Sequence, residues 1–379
     1  MIDYAVLKII WWLLIGLFLA GFALMEGLAL GVGVLLPFLG GNDLQRRCII
    51  NAVAPHWYGN LAWLLTGIGA LFAVWPLLYA VTFSGFYWAM LIVLLALLLR
   101  PIAFEFRSKN LSARWRSYWD SVLFWGSAIA PFFFGILFGN LVLGVPFHFD
   151  ETMRPVYTGS FWALLSPFAL LYALTSLAMF ITHGASWLVY KTEDALQQKA
   201  SVIATVAATI TALLFTVGGI WVYIGIDGYV ASFGLSPSGP STPLSKTVDI
   251  YSGGWFTNFL RHPILFTLPI LGFLGQMAII VFARRHMGLS AVLASSLSVT
   301  CIVFTPLVAI FPFVLPSSSH PNASLTIWDC CSSQLTLEIT LIAVVVLLPA
   351  VLSYTAWAYK VMHGKVTSEY VRQNDKMLY

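Results

Sequence analysis

The stretch Trp11-Trp12-Leu13-Leu14-Ile15-Gly16-Leu17-Phe18-Leu19-Ala20-Gly21-Phe22-Ala23-Leu24-Met25-Glu26-Gly27-Leu28-Ala29-Leu30-Gly31-Val32-Gly33-Val34-Leu35 contains a single ionisable side chain, Glu26. About 20 apolar residues in a helix cross the hydrocarbon core of a bilayer, so this run reads as a membrane span with a carboxylate well inside it. A charge in lipid is costly and is retained where it faces protein, water or a cofactor. Glu26 is therefore the first candidate site residue.

The remainder of the chain repeats the pattern. With 60% hydrophobic residues, 9% charged residues and a mean hydropathy of +0.88, the 379 residues carry more apolar surface than a soluble core can hide. Hydropathy predicts nine spans, at about 9–33, 57–81, 83–104, 121–145, 161–186, 201–226, 263–283, 288–312 and 335–359. The fold class is an all-α polytopic membrane protein, with residues 1–379 forming one helical-bundle domain. The start, Met1-Ile2-Asp3-Tyr4, has neither a basic leader nor a small-residue cleavage site, so the first helix is expected to be retained.

Lys and Arg set the orientation, because positive loops stay on the cytoplasmic side. The connections after spans one, three, five and seven and the tail hold 15 of the 19, namely Arg46, Arg47, Arg100, Arg107, Lys109, Arg114, Arg116, Lys191, Lys199, Arg284, Arg285, Lys360, Lys365, Arg372 and Lys376. The other side holds Lys8, Arg154, Lys246 and Arg261. This predicts a periplasmic N-terminus and a cytoplasmic C-terminus. The net charge of +4 is a topology signal and gives no reason to expect nucleic acid.

Soluble-enzyme motifs are missing. There is no Walker loop, no H-E-x-x-H and no nucleophile elbow, and Gly31-Val32-Gly33 ends a membrane helix with no strand before it. The longest connection, about 227–262, contains Ser236-Pro237-Ser238-Gly239-Pro240-Ser241-Thr242-Pro243 and reads as an irregular external loop. Cys48, Cys301, Cys330 and Cys331 show no C-x-x-C spacing, and no structural disulfide is expected.

Polar residues collect at the start of the second span, Pro55-His56-Trp57-Tyr58-Gly59-Asn60-Leu61-Ala62-Trp63. Helical spacing puts His56, Asn60 and Trp63 on one face, with Trp57 and Leu61 on the next. Glu26 lies on the order of 10 Å from the cytoplasmic end of the first span, at a depth that matches these first turns. One reading is a proton-accessible pocket in which Glu26 hydrogen-bonds to His56, Asn60 or Tyr58. The other is a helix contact with Glu26 protonated, Gly27 and Gly31 allowing close packing, and Trp57 anchoring at the interface.

Two connections read as structural. Arg100 to Lys109, with Arg114-Trp115-Arg116 and Trp119-Asp120, reads as an amphipathic loop whose basic residues meet anionic headgroups, with partner docking as the alternative. Asp329 and Ser332 offer cap chemistry for the ninth helix.

At these same residues the chain closely resembles the second subunit of cytochrome bd-type quinol oxidases. The resemblance runs through Ile10-Trp11-Trp12-Leu13-Leu14, Glu26-Gly27 with Gly31-Val32-Gly33, Asn42-Asp43 with Arg46-Arg47, and His56-Trp57 with Gly59-Asn60. It continues through Phe83-Ser84-Gly85-Phe86-Tyr87, Arg100-Pro101, Gly139-Asn140 with Gly144-Val145-Pro146-Phe147, and Gly225-Ile226-Asp227-Gly228-Tyr229. Phe311-Pro312-Phe313-Val314 and Trp328-Asp329 with Ser332-Ser333-Gln334-Leu335-Thr336-Leu337 complete it.

The resemblance implies a nine-helix subunit paired with a larger first subunit that carries haems b and d and the quinol-oxidising loop. The complex reduces dioxygen to water, releases quinol protons outside and so contributes to the proton gradient of a bacterial cytoplasmic (inner) membrane. The second subunit supports its haem-bearing partner, helps line a proton route and holds a structural quinone. Small accessory single-span subunits, quinol and membrane lipid complete the expected partners. Trp57, Trp63 and Arg100 are the candidate contacts for a quinone or the partner, and Glu26, His56, Tyr58 and Asn60 the candidate proton pathway.

The sequence departs from the family pattern at this pocket. The family typically reads acid-Gly-Phe-Asp in the first helix and His-Trp-Asp-Gly-Asn-Gln in the second. Here Ala29 replaces the second acid, Tyr58 the second-helix acid and Leu61 the glutamine. A tyrosine with its ordinary pKa near 10 is a poor relay, so the proton route is expected to be weakened. His56 and His183 lie near the same ends of their helices, where a bis-histidine haem is geometrically conceivable, but His183 stands where the family commonly has glutamine. No haem ligand, metal ligand or catalytic residue is expected on this chain. A proton-coupled secondary transporter using Glu26 is the alternative from another class, and it would favour an inverted repeat of broken helices, which is not visible.

Overall fold

Asp3 opens the first helix, its carboxylate accepting from the amides of Ala5 and Val6 at 2.9 and 3.3 Å. The computed structural model describes residues 2–374 and 378–379, with the side chain of Tyr58 also outside the described residues. Helix α1 runs Tyr4–Leu39, and α2 (Asp43–Asn51) with a turn of 3-10 helix leads into α3 (Trp57–Val74), α4 (Pro76–Gly85) and α5 (Tyr87–Arg107). Then come α6 (Ala113–Leu143), the hairpin β1 (Phe147–Phe149) and β2 (Pro155–Tyr157), α7 (Pro167–Lys191) and α8 (Asp194–Gly225). The hairpin β3 (Asp227–Phe233) and β4 (Thr247–Ser252) precedes α9 (Thr257–Arg261), α10 (Thr267–Arg284) and α11 (Gly288–Ile310). The chain ends with β5 (Phe313–Leu315), β6 (Leu325–Thr326), α12 (Gln334–Val361) and α13 (Ser368–Gln373).

Among the described residues, eight helices are each long and apolar enough to cross a membrane, and the bent pair Asp43–His56 and Gly59–Val74, at 47° to one another, makes a ninth if taken as one span. This agrees with the nine spans of the hydropathy pattern. The predicted second span is broken near its end at Trp75, held at φ −125° and ψ 68° between α3 and α4. Pro76 is the cause: it has no amide to donate and pushes the residue before it out of the helical region. Helices α6 and α8 begin about a turn or two earlier than hydropathy suggests, because their first turns are polar and hydropathy registers only the apolar part.

Helix α7 sits at the centre, packed on α1, α6, α8 and α11. Side chains of α1, α3, α4, α5 and α12 form one core around Trp11, Phe18, Trp75 and Phe86 at the N-terminal end of α1. A second core, around Leu36, Ile49, Trp57, Phe104 and Leu188, fills the opposite end. Helix α12 is the least covered, with Leu335, Ile339, Ile342, Val345 and Val346 all exposed.

The connections are more ordered than their composition suggests. The 227–262 connection is only partly irregular: 227–233 and 247–252 pair as an antiparallel hairpin, with Gly228 opposite Tyr251 and Val230 opposite Asp249, while 234–246, which holds the Ser/Pro-rich stretch, has no regular structure. The cap of α12 is Ser333, which accepts from the Thr336 amide at 3.3 Å, and not Asp329 or Ser332. Asp329 instead forms an ion pair with Lys246 at 2.8 Å and accepts from the Thr326 amide, while the Ser332 hydroxyl donates to the Ala73 carbonyl. Asp329 thus ties two connections together, and Ser332 ties its connection to the end of α3. All four cysteines are free.

Two of the basic residues at the α5–α6 connection that were expected to meet headgroups, Arg107 and Arg116, are paired within the chain instead. Arg107 pairs with Asp120 and Asp43, Arg116 with Asp43 at 2.6 Å and Arg46 with Asp120 at 2.8 Å. Arg107 is only 1% exposed. A buried guanidinium must be paired, and two aspartates within reach compete successfully with lipid headgroups for it.

Candidate functional site: the Glu26 pocket

Glu26 is 0% exposed, and its carboxylate is ion-paired with Arg100 of α5, which is 2% exposed. Arg100 is thus not a loop charge, as its place in the Lys and Arg count implied, but a side chain turned into the bundle. Its Nε donates to Ser127 Oγ of α6 at 3.1 Å, so three helices meet at one guanidinium. Gly126 makes the room, since a Cβ there would come within 2.8 Å of Arg100 Cγ and of the Ala96 carbonyl. Oε2 of Glu26 and Nη2 of Arg100 have no hydrogen-bond partner among the described residues.

The expected partners of Glu26 lie beside it and are otherwise engaged. Asn60 donates from Nδ2 to the carbonyl of Met25 at 2.9 Å and accepts from the Tyr359 hydroxyl of α12 at 3.3 Å. His56 stacks on the Tyr359 ring at 4.0 Å with planes 7° apart and meets Trp187 edge-on at 6.4 Å. Its hydrogen bond to Glu26 is not formed. The side chain of Tyr58 lies outside the described residues, while Ala29 is buried and offers no polar atom.

Close packing on the other side of α1 follows the small-residue spacing. Gly31 and Gly184 face each other, and a Cβ on Gly184 would lie 2.5 Å from the Gly31 carbonyl carbon. A Cβ on Gly27 would sit 2.5 Å from the Phe180 ring. Such crossings let backbones approach and dispersion accumulate. One step from this crossing, His183 places Nδ1 2.7 Å from Ser295 Oγ and Nε2 2.9 Å from the Leu24 carbonyl. With both ring nitrogens engaged, His183 presents no free nitrogen to an iron.

The three candidate contacts for a quinone or partner point inward. Trp57 is 3% exposed and stacks on Phe104 at 6.1 Å, and Trp63 is 5% exposed and packs on Phe18 at 6.5 Å. The interface-anchor reading of Trp57 is therefore replaced by a core contact. Trp63 is accepted only because residue 21 is glycine: a Cβ there would come within 2.6 Å of the indole Cζ3.

Two further features of the bundle have no signal in the local sequence. Tyr359 joins the pocket from α12, and no sequence spacing connects it to Asn60. A cavity of about 680 Å³ opens between α1, α6, α7, α8, α10 and α11, lined by Phe22, Phe134, Tyr172, Met179, Phe215 and Phe273 among others. Its walls are almost wholly apolar, as a site for a lipid-soluble chain requires. Among the described residues no group of three or more His, Cys, Asp or Glu gathers around one point.

The family model for cytochrome bd terminal oxidase subunit II matches residues 7–362. Cytochrome bd-I ubiquinol oxidase subunit 2 of Escherichia coli is 48% identical over all 379 residues, covering 100% of both chains. A probable cytochrome oxidase subunit 2 of Haemophilus influenzae is 45% identical over the same full lengths. A chain in the structure of the bd oxidase from Geobacillus thermodenitrificans superimposes with a TM-score of 0.68 at 14% identity, covering 94% of this chain and 98% of that one, and so shares the fold. The chain belongs to the cytochrome bd terminal oxidase subunit II family.

Proposed function

We propose that this chain is the scaffolding subunit of a quinol:oxygen oxidoreductase in a bacterial inner membrane, paired with a larger subunit that carries the haems and oxidises quinol. The observation that supports this most directly is the full-length match at 48% identity to a subunit of a ubiquinol oxidase. The periplasmic N-terminus and the single-domain reading remain part of this proposal, as do quinol, lipid and small accessory subunits as partners.

Within the pocket, the ion pair Glu26–Arg100 favours a pin over a proton relay. A relay carboxylate must gain and lose a proton as it works, whereas Glu26 is held by a guanidinium that is itself tied to Ser127. Protonating it would strand a buried cation. The proton route attributed to the second subunit is therefore weakened at Glu26 as well as at Ala29 and Tyr58. In this reading the chain holds α1, α5 and α6 in register for the partner, whose haems, when bound, would supply the electron-transfer and oxygen-reducing chemistry.

The apolar cavity suits the tail of a structural quinone. Its aromatic and aliphatic lining supplies no charge to ligate a metal and no acid to act as a catalyst. The transporter alternative has no support from the family or from the helix arrangement.

The test is purification from membranes. A larger haem-bearing chain should co-elute and a haem d band should appear in the reduced-minus-oxidised spectrum. A colourless chain that purifies alone would overturn the proposal. Organic extraction of the pure complex should release a quinone that survives exchange of the turnover quinol.

A further inference from the structure

The end of the bundle that carries the N-terminus of α1 brings together two imidazoles that the oxidase function does not use. His148 lies on β1, in the connection between α6 and α7. His320 lies after β5, in the connection between α11 and α12. They are far apart in sequence, yet their ring centroids are 4.9 Å apart with the planes inclined at 39°.

That separation suits one metal ion shared by two imidazoles. Zinc–nitrogen bonds of about 2.0–2.1 Å place each ring centroid about 3.2 Å from the metal, so ligand angles between 90° and tetrahedral put the centroids about 4.5–5.2 Å apart. Nδ1 of His148 is buried without a hydrogen-bond partner among the described residues. Because the Ser319 hydroxyl donates to the Phe147 carbonyl, His320 donates from Nδ1 to Ser319 Oγ at 3.1 Å, a contact that orients the ring and leaves the lone pair of Nε2 available to a metal.

The backbone beneath the pair is already fastened. The Val145 amide donates to the Pro316 carbonyl at 3.0 Å, and the Ser318 amide to the Val145 carbonyl at 3.1 Å. The hydroxyls of Ser317 and Ser319 both donate to the Phe147 carbonyl, at 2.5 and 3.2 Å, and the Ser317 hydroxyl also accepts from the His320 amide at 3.1 Å. The site is thus pre-organised on both connections, and a ligand need not order them.

Asp150 is the nearest acid in sequence, but its Oδ1 is taken by Thr152 and by the Arg154 amide. Imidazole is a good ligand for late divalent metals, with copper bound more tightly than zinc. We propose that His148 and His320 form a two-imidazole site for a divalent transition-metal ion, zinc or copper, completed by water. It would clamp the α6–α7 connection to the α11–α12 connection. This departs from the expectation that the chain carries no metal ligand.

The test uses the chain as purified from membranes with its co-eluting partners, without a polyhistidine tag and after washing with a chelator. Cu2+ is titrated and followed by electron paramagnetic resonance, with pulsed methods counting the coordinated imidazoles. One Cu2+ per chain with two imidazole nitrogens is expected, displaced by excess Zn2+. His148→Gln and His320→Gln should each weaken binding by about 10-fold or more and remove the two-imidazole signal, while optical spectra report intact assembly. Wild-type protein that binds no stoichiometric nitrogen-coordinated Cu2+ would overturn the proposal without recourse to any variant. An unchanged titration in the double variant would also overturn it.

Discussion

Glu26 on α1 and Arg100 on α5 form an ion pair sealed from solvent, and Arg100 hands the connection on to Ser127 of α6. A buried pair contributes little net stability when intact, but removing one partner leaves a charge with nothing to offset its desolvation.

Arg100→Gln and Glu26→Gln should therefore each cost about 3–5 kcal/mol, and the double variant less than the sum of the two. Thermal loss of haem d absorbance in the purified complex measures this. Turnover per assembled complex should stay near wild type in Glu26→Gln. A large loss of turnover with unchanged stability would show that Glu26 moves protons after all.

Gly184→Ala should be severe, because the new Cβ would meet the backbone of Gly31 and Val32 at 2.5 Å and neither can step aside. A cost of 1–3 kcal/mol, on the order of other overpacked cores, or failure to assemble is expected. Gly219→Ala is the control: nothing lies within 4 Å of its Cβ, and helix propensity should make it neutral or slightly stabilising. Membrane levels of the two variants, compared by immunoblot, decide the matter. Equal levels would mean that α1 and α7 are further apart than described.

Burial raises the Asp329 carboxyl above its ordinary value near 3.8, and Lys246 lowers it without cancelling that rise. A carboxyl raised on folding binds its proton more tightly in the folded state, so stability falls as pH climbs from about 3.8 through the raised value. Unfolding temperatures of wild type and Asp329→Asn across that window should show a downward slope that is shallower in the variant. An equal slope would assign the titration to another group.

Burial also lifts the Cys331 thiol to about 12, against the opposing hydrogen bond from Trp75 Nε1 at 3.1 Å. Only a thiolate attacks maleimide readily, so Cys331 should resist labelling at pH 8 in the folded protein and react on denaturation. Fragment-ion mass spectrometry, which separates Cys331 from Cys301 and Cys330 on the same tryptic peptide, reads this. Rapid native labelling would show that the connection before α12 opens.

Much of this was legible along the chain. Apolar runs such as Trp11–Leu35 state that nine segments can cross a membrane, because span length is set by bilayer thickness and hydropathy sums locally. Gly27 and Gly31 announced a close crossing, since small residues at that spacing share one helix face. Glu26 announced itself as a carboxylate that needed a partner. Family membership was legible for the same reason, being carried by ordered motifs along the whole length.

The identity of that partner was not. His56, Asn60 and Tyr58 matched Glu26 in depth, but depth leaves rotation about the helix axis open, and Arg100 at the end of an apolar run looked like a loop charge. Only the packing of α1, α5 and α6, with Gly126 leaving room for the guanidinium, turned Arg100 inward. Tyr359 reached Asn60, and His148 reached His320, by the same route. The sequence by itself determined the class, the spans and the need for a buried counter-charge, because those depend on neighbours in the chain. The tertiary structure alone decided who meets whom, because contacts between helices depend on rotation and crossing angle, which no local pattern records.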